Sequence, residues 1–405
     1  MRRSCGCRRF VYNHFLALQQ KHYQDHLDGK EEYGFINYKE MCKLLVALKA
    51  EPEYEWLREV NSHALQQTLK DLETAYKRFF AGKAAYPTQK LRDRGDSFRS
   101  PFYCAVSSDF KYIRSMKLGW VRCRGLRKSM LVGSDGNPSF YSVQSTTVSA
   151  VADYFEASVL FRVPAIAPQE HPYPGHSCGL DVGIAKPVAL TSCKQEHATY
   201  GITTRNKLQK QEAFLNKLHR KLARQQKGSS SRQRTKTKLA RAYHHAACIR
   251  KNFNHKLSNA LAETYKTIVV EDLSIRAMTA SASGTIEAPG KNVKQKSALN
   301  RGMLRMAPGQ LYRFLEYKCR REGGALIRVD PRYSSQECRI CGVVDKRSRE
   351  SQAIFKCVSC GHTENADYNA AGVVLGRGLN LIQMRPESAL VESAFRSAKP
   401  KPRGL

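Results

Sequence analysis

Four cysteines in the C-terminal quarter of the chain have the spacing of a metal site. Cys338 and Cys341 form one Cys-x2-Cys pair, and Cys357 and Cys360 form a second pair after fifteen intervening residues. A glycine directly follows each pair, and its conformational freedom lets the backbone amides turn towards the sulfurs. Four thiolates fill the tetrahedral shell of Zn²⁺ and leave no position for water, so the pattern predicts a structural zinc ribbon.

Unrelated free thiols and a redox-active dithiol pair are the less favoured interpretations of these four cysteines. His362 could replace one of them as a ligand, but with four cysteines in place we expect it to be a surface residue. The remaining nine of the 13 cysteines are scattered along the chain. This usage predicts a reducing compartment and metal-bound thiolates, and it argues against a disulfide framework.

Three carboxylates lie where separate structural elements are expected to end or begin. Asp181 lies within the apolar run CGLDVGIAKPVAL, Glu271 ends the run IVVE, and Asp367 lies in ENADYNAAGVVL, where a helix is predicted to begin. Burying an unpaired carboxylate is costly, so acids carried by strands favour a divalent cation. Three such acids can hold two Mg²⁺ ions for phosphodiester hydrolysis, one activating the attacking water and the other stabilising the leaving 3′ oxygen.

Each of these acids also has an ordinary structural interpretation. Asp181 could be a turn acid, Glu271 and Asp272 could form a salt bridge at a strand end, and Asp367 could be a helix N-cap. The three acids as a set, in a chain with a zinc ribbon and a large positive charge, favour a catalytic magnesium site.

The charge balance predicts a polyanionic partner. The 405 residues include 68 Lys and Arg against 35 Asp and Glu, a net charge of +33. Such an excess repels itself unless a polyanion is near, so we expect nucleic acid to bind, with a steep dependence on salt. Between Arg205 and Lys256 there are sixteen Lys and Arg and one acid, Glu212. This stretch predicts a surface that follows phosphates, and a solvated helical hairpin is the alternative.

Membrane association is not expected. Acidic lipid is a weaker candidate for the polyanion, because no run of roughly 18 apolar residues could span a bilayer. The start of the chain, MRRSCGCRRF, lacks the apolar run of a secretory signal. These features predict a cytoplasmic protein, and they leave the oligomeric state open.

Hydrophobic periodicity divides the N-terminal half into two modules. Apolar residues recur at helical spacing over Phe10–Gly29, Ile36–Leu48 and Asn61–Phe80, which predicts a mainly helical lobe over residues 1–90. Runs of β-branched and aromatic residues at 116–123, 140–148 and 155–163 predict a β module over residues 91–175. The proline-rich segment from Pro164 to Gly175 is predicted to be a linker at its end.

From Cys178 onwards the pattern is α/β. GLDVGIAKPVALTS and KTIVVEDLSI predict strands, residues 205–265 predict two long helices interrupted at Gly228–Ser231, and Gln310–Arg321 predicts a further helix before a strand at Ala325–Val329. The segment Thr279–Asn300 is predicted to be a loop, either a lid or a connector. The resulting modules are an α/β core at 176–332, the ribbon at 333–362, a last core segment at 363–376 and a disordered tail at 377–405.

Five segments, in order, resemble the TnpB family, also called OrfB, of bacterial insertion sequences, which is related to the type V CRISPR effector nucleases. They span roughly Gly179 to Leu375, and RRFVYNHFLA and LQQTLKDLETAYKRFF match more loosely. The resemblance implies an RNase H-like (RuvC) nuclease core with the ribbon inserted before its last acid, preceded by a helical recognition lobe and a small wedge-type β-barrel. The five segments are GLDVGIAKPVAL, VVEDLSI, YSSQECRICG, FKCVSCG and NADYNAA.

The same resemblance implies an activity and a set of site residues. Asp181, Glu271 and Asp367 would be the metal-binding acids of an RNA-guided DNA endonuclease. Its guide RNA would come from its own genetic element, and it would cut DNA beside a short fixed motif. The guide, and not the side chains, would then select the sequence.

Two segments depart from the family pattern. Only nine residues precede Phe10, where members of the family have a short β-strand, and YPTQKLRDRG replaces a basic turn near Pro87. Because of the short segment before Phe10, either the true start of the chain lies upstream or the wedge barrel lacks an edge strand. Because of the altered turn near Pro87, recognition of the short DNA motif beside the target is left open. The alternative function is a non-cleaving RNA-guided DNA-binding regulator or a decayed transposition accessory protein. A transposase that transfers strands alone is disfavoured, because no His and Tyr nucleophile arrangement stands out.

Overall fold

The computed structural model describes residues 1–30, 34–92, 95–126, 142–163, 170–285 and 287–384. The described chain forms two compact units, one up to residue 163 and one from residue 170. No helix in the described ranges is long and apolar enough to cross a membrane.

The first unit begins with three helices that share one hydrophobic core. They are α1 (Arg2–Leu27), α2 (Tyr38–Leu48) and α3 (Ser62–Phe80), as the periodicity predicted. The first helix begins at Arg2 and not at Phe10, because Cys5 and Cys7 are also buried and extend its apolar side. The most deeply buried side chains of this core include Phe15, Leu16, Met41, Leu45, Leu57, Leu65, Leu69 and Leu72.

The strands of the first unit form two separate antiparallel sheets of three strands each. Of the three predicted strands, the one at 155–163 is confirmed, and the one at 116–123 is shorter and spans only 119–122. Part of the predicted strand at 140–148 lies outside the described residues. The wedge-type barrel stays a prediction. One sheet has the order β1 (Ser97–Ser100), β5 (Ser142–Val151), β6 (Tyr154–Arg162), and the other has β2 (Ala105–Val106), β3 (Tyr112–Ser115), β4 (Gly119–Arg122).

Half of the predicted linker packs onto the second unit. Residues 164–169 lie outside the described ranges, but His171 is buried and its Nε2 lies 3.0 Å from the carbonyl oxygen of Ala262. The segment from residue 170 therefore belongs to the second unit.

The second unit is built on one mixed sheet of five strands. The three strands β11, β10 and β7 run parallel, and β7, β8 and β9 are antiparallel to one another in turn. The two strands around the Gly and Pro turn, and those ending at Glu271 and Val329, are where the sequence predicted them. In sheet order the strands are β11 (Ala325–Val329), β10 (Thr267–Glu271), β7 (Ser177–Asp181), β8 (Val188–Ser192) and β9 (His197–Tyr200).

Helices cover both faces of this sheet. The predicted basic hairpin is confirmed as α4 (Ile202–Arg224) and α5 (Ser230–Thr264). The end of α5 and α8 (Pro308–Arg321) bury leucines against one face, among them Leu261 and Leu315. Against the other face lies α9 (Ala366–Gln383), whose Val374 and Leu375 pack on Val269 and Val329.

The helix α9 lies unusually close to the strand β7. A Cβ added at Gly179 would come within 2.1 Å of the carbonyl oxygen of Ala371, so only glycine allows this approach. The approach matters because β7 ends at Asp181 and α9 begins beside Asp367.

Two predicted irregular segments are partly helical. After the short helix α6 (Ile275–Met278), α7 (Val293–Arg305) occupies the end of the predicted loop Thr279–Asn300; it buries no residue and so has no apolar stripe to detect. The predicted tail at 377–405 begins too early, because α9 continues to Gln383 and Gly378 packs against Val269. Residues 385–405 of that tail lie outside the described ranges.

The ribbon has a small core of its own. Its hairpin consists of β12 (Ile354–Lys356) and β13 (Thr363–Asn365), which pair antiparallel. Phe355 is fully buried and packs with Cys338, Cys357 and Ala366. The last of these is the first residue of α9, so the ribbon leads directly into the helix that carries Asp367.

Candidate metal centre and carboxylate site

The four predicted cysteines meet at one point. Their sulfurs all lie within 4.8 Å of one another, with Cys338 Sγ 3.7 Å from Cys360 Sγ and Cys341 Sγ 3.5 Å from Cys357 Sγ. Soft thiolates at this spacing fit a tetrahedral zinc ion. The structure therefore brings together the whole ligand set that the spacing predicted.

A backbone hydrogen bond in the second knuckle favours the thiolate form of Cys357. Gly342 and Gly361 have φ values of 72° and 73°, which turn each knuckle back on itself. The backbone N–H of Cys360 lies 3.5 Å from Cys357 Sγ, and this hydrogen bond is the largest cause that lowers the pKa of the Cys357 thiol to about 6. His362 is not part of this group, since its Nε2 lies 3.4 Å from Glu364 Oε2.

Two of the predicted acids end neighbouring parallel strands. Leu180 of β7 pairs with Val270 of β10, so the next residues, Asp181 and Glu271, follow at the same edge of the sheet. Carboxyl ends of parallel strands in an open α/β sheet are where such folds place their sites. Asp367, in the first turn of α9, completes the set.

The charges of Glu271 and Asp367 act on Asp181. Burial first, and then the negative charges of Glu271 and Asp367, raise the pKa of Asp181 to about 7. A carboxyl whose pKa is raised by two other carboxylates lies in a place that favours a bound cation. Glu271 and Asp367 are therefore near enough to Asp181 for their charges to act on its pKa.

This carboxylate site is wider than the cysteine site. Across the described part of the chain, the four cysteines are the one group with at least three ligand atoms within 4.8 Å of one another. Two-metal phosphodiesterase sites hold their ions about 3.5–4 Å apart, so their carboxylates surround a larger space. Carboxylate oxygens are hard donors of the kind that Mg²⁺ prefers.

Glu271 is held by residues that the sequence analysis did not single out. Ser334 Oγ donates a hydrogen bond of 2.5 Å to Glu271 Oε1, and both side chains are buried. Burial raises the pKa of Glu271, while this hydrogen bond and the charge of Arg377 lower it. Arg377 itself is fixed by the carbonyl oxygens of Asp330 and Arg332, at 2.6 and 2.9 Å.

A further cation reaches the site from the ribbon. The positive charge of Arg349, which follows the short 3-10 helix at Lys346–Ser348, lowers the pKa of Asp181 against the effect of the two acids. Nothing in the sequence distinguished Arg349 from the other Lys and Arg of this basic chain.

The basic helical hairpin offers a broad cationic groove. An open groove of about 610 Å³ lies along α4 and is lined by Lys217, Arg220, Lys221 and Arg224. The one acid of the stretch, Glu212, is paired with Arg305 at 2.6 Å, so its charge is already neutralised. This arrangement supports the predicted phosphate-binding surface.

Models of known protein families match three parts of the chain. A model described as a helix-turn-helix domain matches residues 1–28, which here form the single helix α1. A model described as a probable transposase matches residues 158–282, and a Cas12f1-like TNB domain matches residues 309–374. The segment that matches the probable transposase contains Asp181 and Glu271, and the segment that matches the TNB domain contains Asp367 and the four cysteines.

Similar proteins extend over nearly the whole chain. A protein of Escherichia coli (strain K12), provisionally named RNA-guided DNA endonuclease InsQ, is 37% identical over 378 residues, which cover 93% of this chain and 88% of that protein. The chain therefore belongs to the TnpB (OrfB) family. A TnpB-type relative from Streptomyces pristinaespiralis, provisionally named an RNA-guided DNA endonuclease, is 28% identical and covers 93% of this chain and 85% of its own length.

The fold of this TnpB-family chain is shared with a solved effector complex. The cryo-EM structure of a Cas12f1–sgRNA–target DNA complex matches with a TM-score of 0.54 at 15% identity, covering 92% of this chain and 81% of that one. At this identity the match shows the fold alone. The predicted family resemblance is thus confirmed, and the predicted α/β core with an inserted cysteine ribbon agrees with the fold.

Proposed function

We propose that this protein is an RNA-guided DNA endonuclease that hydrolyses phosphodiester bonds at Asp181, Glu271 and Asp367. The observation that carries the proposal is the raised pKa of Asp181, about 7, which results from burial and then from the charges of Glu271 on β10 and Asp367 on α9. The likeness to InsQ over 93% of the chain supports the same activity.

Each residue of such a site would have its own role. When bound, Mg²⁺ would supply an activated water and a counter-charge for the leaving 3′ oxygen. Asp181 and Glu271 would hold it from the rigid edge of the sheet, and Asp367 would close the site from the helix. Ser334 would hold the Glu271 carboxylate in place through its hydrogen bond to Oε1. Arg349 would attract the scissile phosphate, since its charge already acts at Asp181.

The zinc ribbon would have a structural part in this activity. With four thiolates around it, zinc has no open position for water. The ribbon ends where α9 begins, so a folded ribbon would fix the start of the helix that carries Asp367.

The nucleic-acid partners follow from charge and from the relatives. A net charge of +33 requires a polyanion, and the groove on α4 presents cations without a free acid beside them. We propose that a guide RNA from the protein's own genetic element binds this chain and selects the DNA target by base pairing. The helical lobe over residues 1–90 would contact these nucleic acids, and action on chromosomal DNA would place the protein at the nucleoid.

The test is purification of the full chain from cells that carry its genetic element. We expect a discrete RNA to copurify, and the complex to cut DNA matched to that RNA when Mg²⁺ is added. Mismatched DNA serves as the control and should remain intact. RNA-dependent binding of matched DNA without any cutting would replace the endonuclease with a non-cleaving regulator, and the absence of both would remove RNA guidance altogether.

A further inference from the structure

Tyr368, the residue directly after Asp367, contacts side chains of β8, of β9 and of the turn between β7 and β8. Its ring lies between the ammonium group of Lys186, 4.1 Å from the ring centroid, and the stacked imidazole of His197, at 4.7 Å and 14°. Its hydroxyl oxygen lies 2.9 Å from Thr199 Oγ1, and its backbone carbonyl accepts a hydrogen bond of 2.9 Å from Thr191 Oγ1. We call these five residues the Tyr368 clamp.

Lys186 also fixes the residue at the other side of the acid. Its Nζ donates a hydrogen bond of 2.8 Å to Asn365 Oδ1, and the same oxygen accepts from the backbone N–H of Asp367 at 3.2 Å. The ammonium group of Lys186 therefore contacts Tyr368, the residue after Asp367. It also contacts Asn365, whose side chain caps the backbone of Asp367. Because Lys186 lies in the turn between β7 and β8, the segment that begins at Asp181 also holds Asp367.

The clamp is continuous with the zinc ribbon. His197 Nε2 lies 2.9 Å from Glu364 Oε1, and Glu364 Oε2 lies 2.8 Å from Nε of Arg339, inside the first cysteine knuckle. Glu364 is only 11% exposed, so its carboxylate depends on these partners. Contacts of named side chains thus run from the ribbon to the backbone at Asp367.

We propose that the Tyr368 clamp is a positioning device that sets Asp367 against Asp181 and so determines the affinity of the carboxylate site for divalent cations. This inference rests on the proposed function, because it takes the three acids as the metal ligands. Lys186 and Tyr368 are positioning residues, since they act through Asp367. Partners that orient a metal ligand from behind commonly change metal affinity by about 10–100-fold.

A packing role and a positioning role predict different results for two substitutions of Lys186. Lys186→Met keeps the aliphatic stem and removes the ammonium group, whereas Lys186→Arg keeps the positive charge. If the side chain only filled space, both variants would bind cations like the wild type. If the ammonium group positions Asp367, the methionine variant should lose affinity and the arginine variant should recover most of it.

The experiment is a Mn²⁺ titration of the nucleic-acid-free full chain, followed by electron paramagnetic resonance. Binding lost in Asp181→Ala defines the carboxylate site. We expect Lys186→Met to weaken Mn²⁺ at this site by about 10-fold, and Lys186→Arg to stay within about 3-fold of the wild type. Lys194→Met, which removes an equal charge from the exposed β8–β9 turn, is the matched control and should bind like the wild type.

A second variant makes the result independent of Lys186. Tyr368→Phe keeps the ring between Lys186 and His197 and should bind Mn²⁺ within about 3-fold of the wild type, whereas Tyr368→Leu should lose about 10-fold. Wild-type affinity in a folded Lys186→Met or Tyr368→Leu variant would overturn the clamp while leaving the proposed function intact. Equal Mn²⁺ binding by wild type and Asp181→Ala would instead remove the carboxylate site, and the clamp with it.

Discussion

Asp181 and Glu271 end two neighbouring parallel strands, and the charge of Glu271 helps to raise the pKa of Asp181 to about 7. The relation follows from topology, because Leu180 and Val270 lie opposite each other in the parallel strands and so place the following residues at the same edge of the sheet. Two like charges so placed destabilise the protein unless a cation neutralises them.

The raised pKa predicts how the stability of the metal-free protein depends on pH. Folded Asp181 holds its proton up to about pH 7, whereas the unfolded chain releases it near the ordinary value of 3.8. The folded state therefore binds more protons in this window, and its stability falls as the pH rises through it. Asp181→Asn removes this dependence, so we expect it to melt about 3–6 °C above the wild type at pH 8, with a smaller difference at pH 5.

Asp272→Asn is the control for this prediction. Its carboxylate is the next acid along the chain but is 64% exposed, so the variant should melt within about 1 °C of the wild type at both pH values. Differential scanning calorimetry in the presence of a chelator measures both variants. If raising the pH stabilised the wild type more than it stabilised Asp181→Asn, this account of the site would be contradicted.

Ser334 is predicted to support Glu271. Ser334→Ala removes the hydrogen bond to Oε1 and leaves a buried carboxylate without that partner, so cleavage of matched DNA should slow by about 10–100-fold. Ser335→Ala changes the adjacent, less buried serine and should cut at the wild-type rate. Single-turnover cleavage rates at fixed Mg²⁺ compare the two variants, and equal rates would show that Ser334 has no part in the site.

The cysteine site is predicted to hold one zinc ion per chain. Cys357→Ser removes a buried ligand and should lower the zinc content well below that of the wild type, measured by elemental analysis of the purified protein. Cleavage should be lost as well, because Arg349 and the start of α9 depend on the folded ribbon. Cys193→Ser, at an exposed cysteine outside the ribbon, should retain full zinc and activity. A wild type that carries far less than one zinc would disprove the ribbon.

The groove on α4 is predicted to bind phosphates. Lys217→Gln combined with Lys221→Gln should weaken RNA binding and reduce the slope of log affinity against log salt by roughly 1 for each phosphate contact removed. Lys194→Gln combined with Lys266→Gln removes the same charge elsewhere in the second unit. Fluorescence anisotropy over a salt series measures the slope of log affinity against log salt for both double variants. Identical slopes would mean that the groove does not contact RNA.

The candidate site residues could be proposed from the sequence because their signals are local. The paired cysteines identify a zinc site by spacing alone, and Asp181 and Glu271 stand out as acids in or after apolar β-branched runs. The strand bounds at Ala325–Val329 and the hairpin of α4 and α5 follow equally from apolar periodicity. Such patterns depend on a few neighbouring residues, so one sequence contains them in full.

The residues around the acids were not predictable, because they depend on contacts between distant segments. Ser334 and Arg377 reach Glu271 from 63 or more residues away in the chain, and Lys186 reaches Asn365 across 179 residues. A lone serine or lysine in a basic chain has no pattern of its own. The helix α7 was missed for a related reason, since it buries no side chain and so has no apolar stripe.

Asp181 is proposed to take part in the chemistry and not merely to stabilise the complex. The direct measurement compares wild type and Asp181→Ala, each purified with its RNA, for binding and for Mg²⁺-dependent cutting of matched DNA. We predict that the variant binds RNA and matched DNA as tightly as the wild type and cuts at least about 1,000-fold more slowly. Cutting retained at the wild-type rate by a folded, RNA-bound Asp181→Ala protein would contradict the assignment.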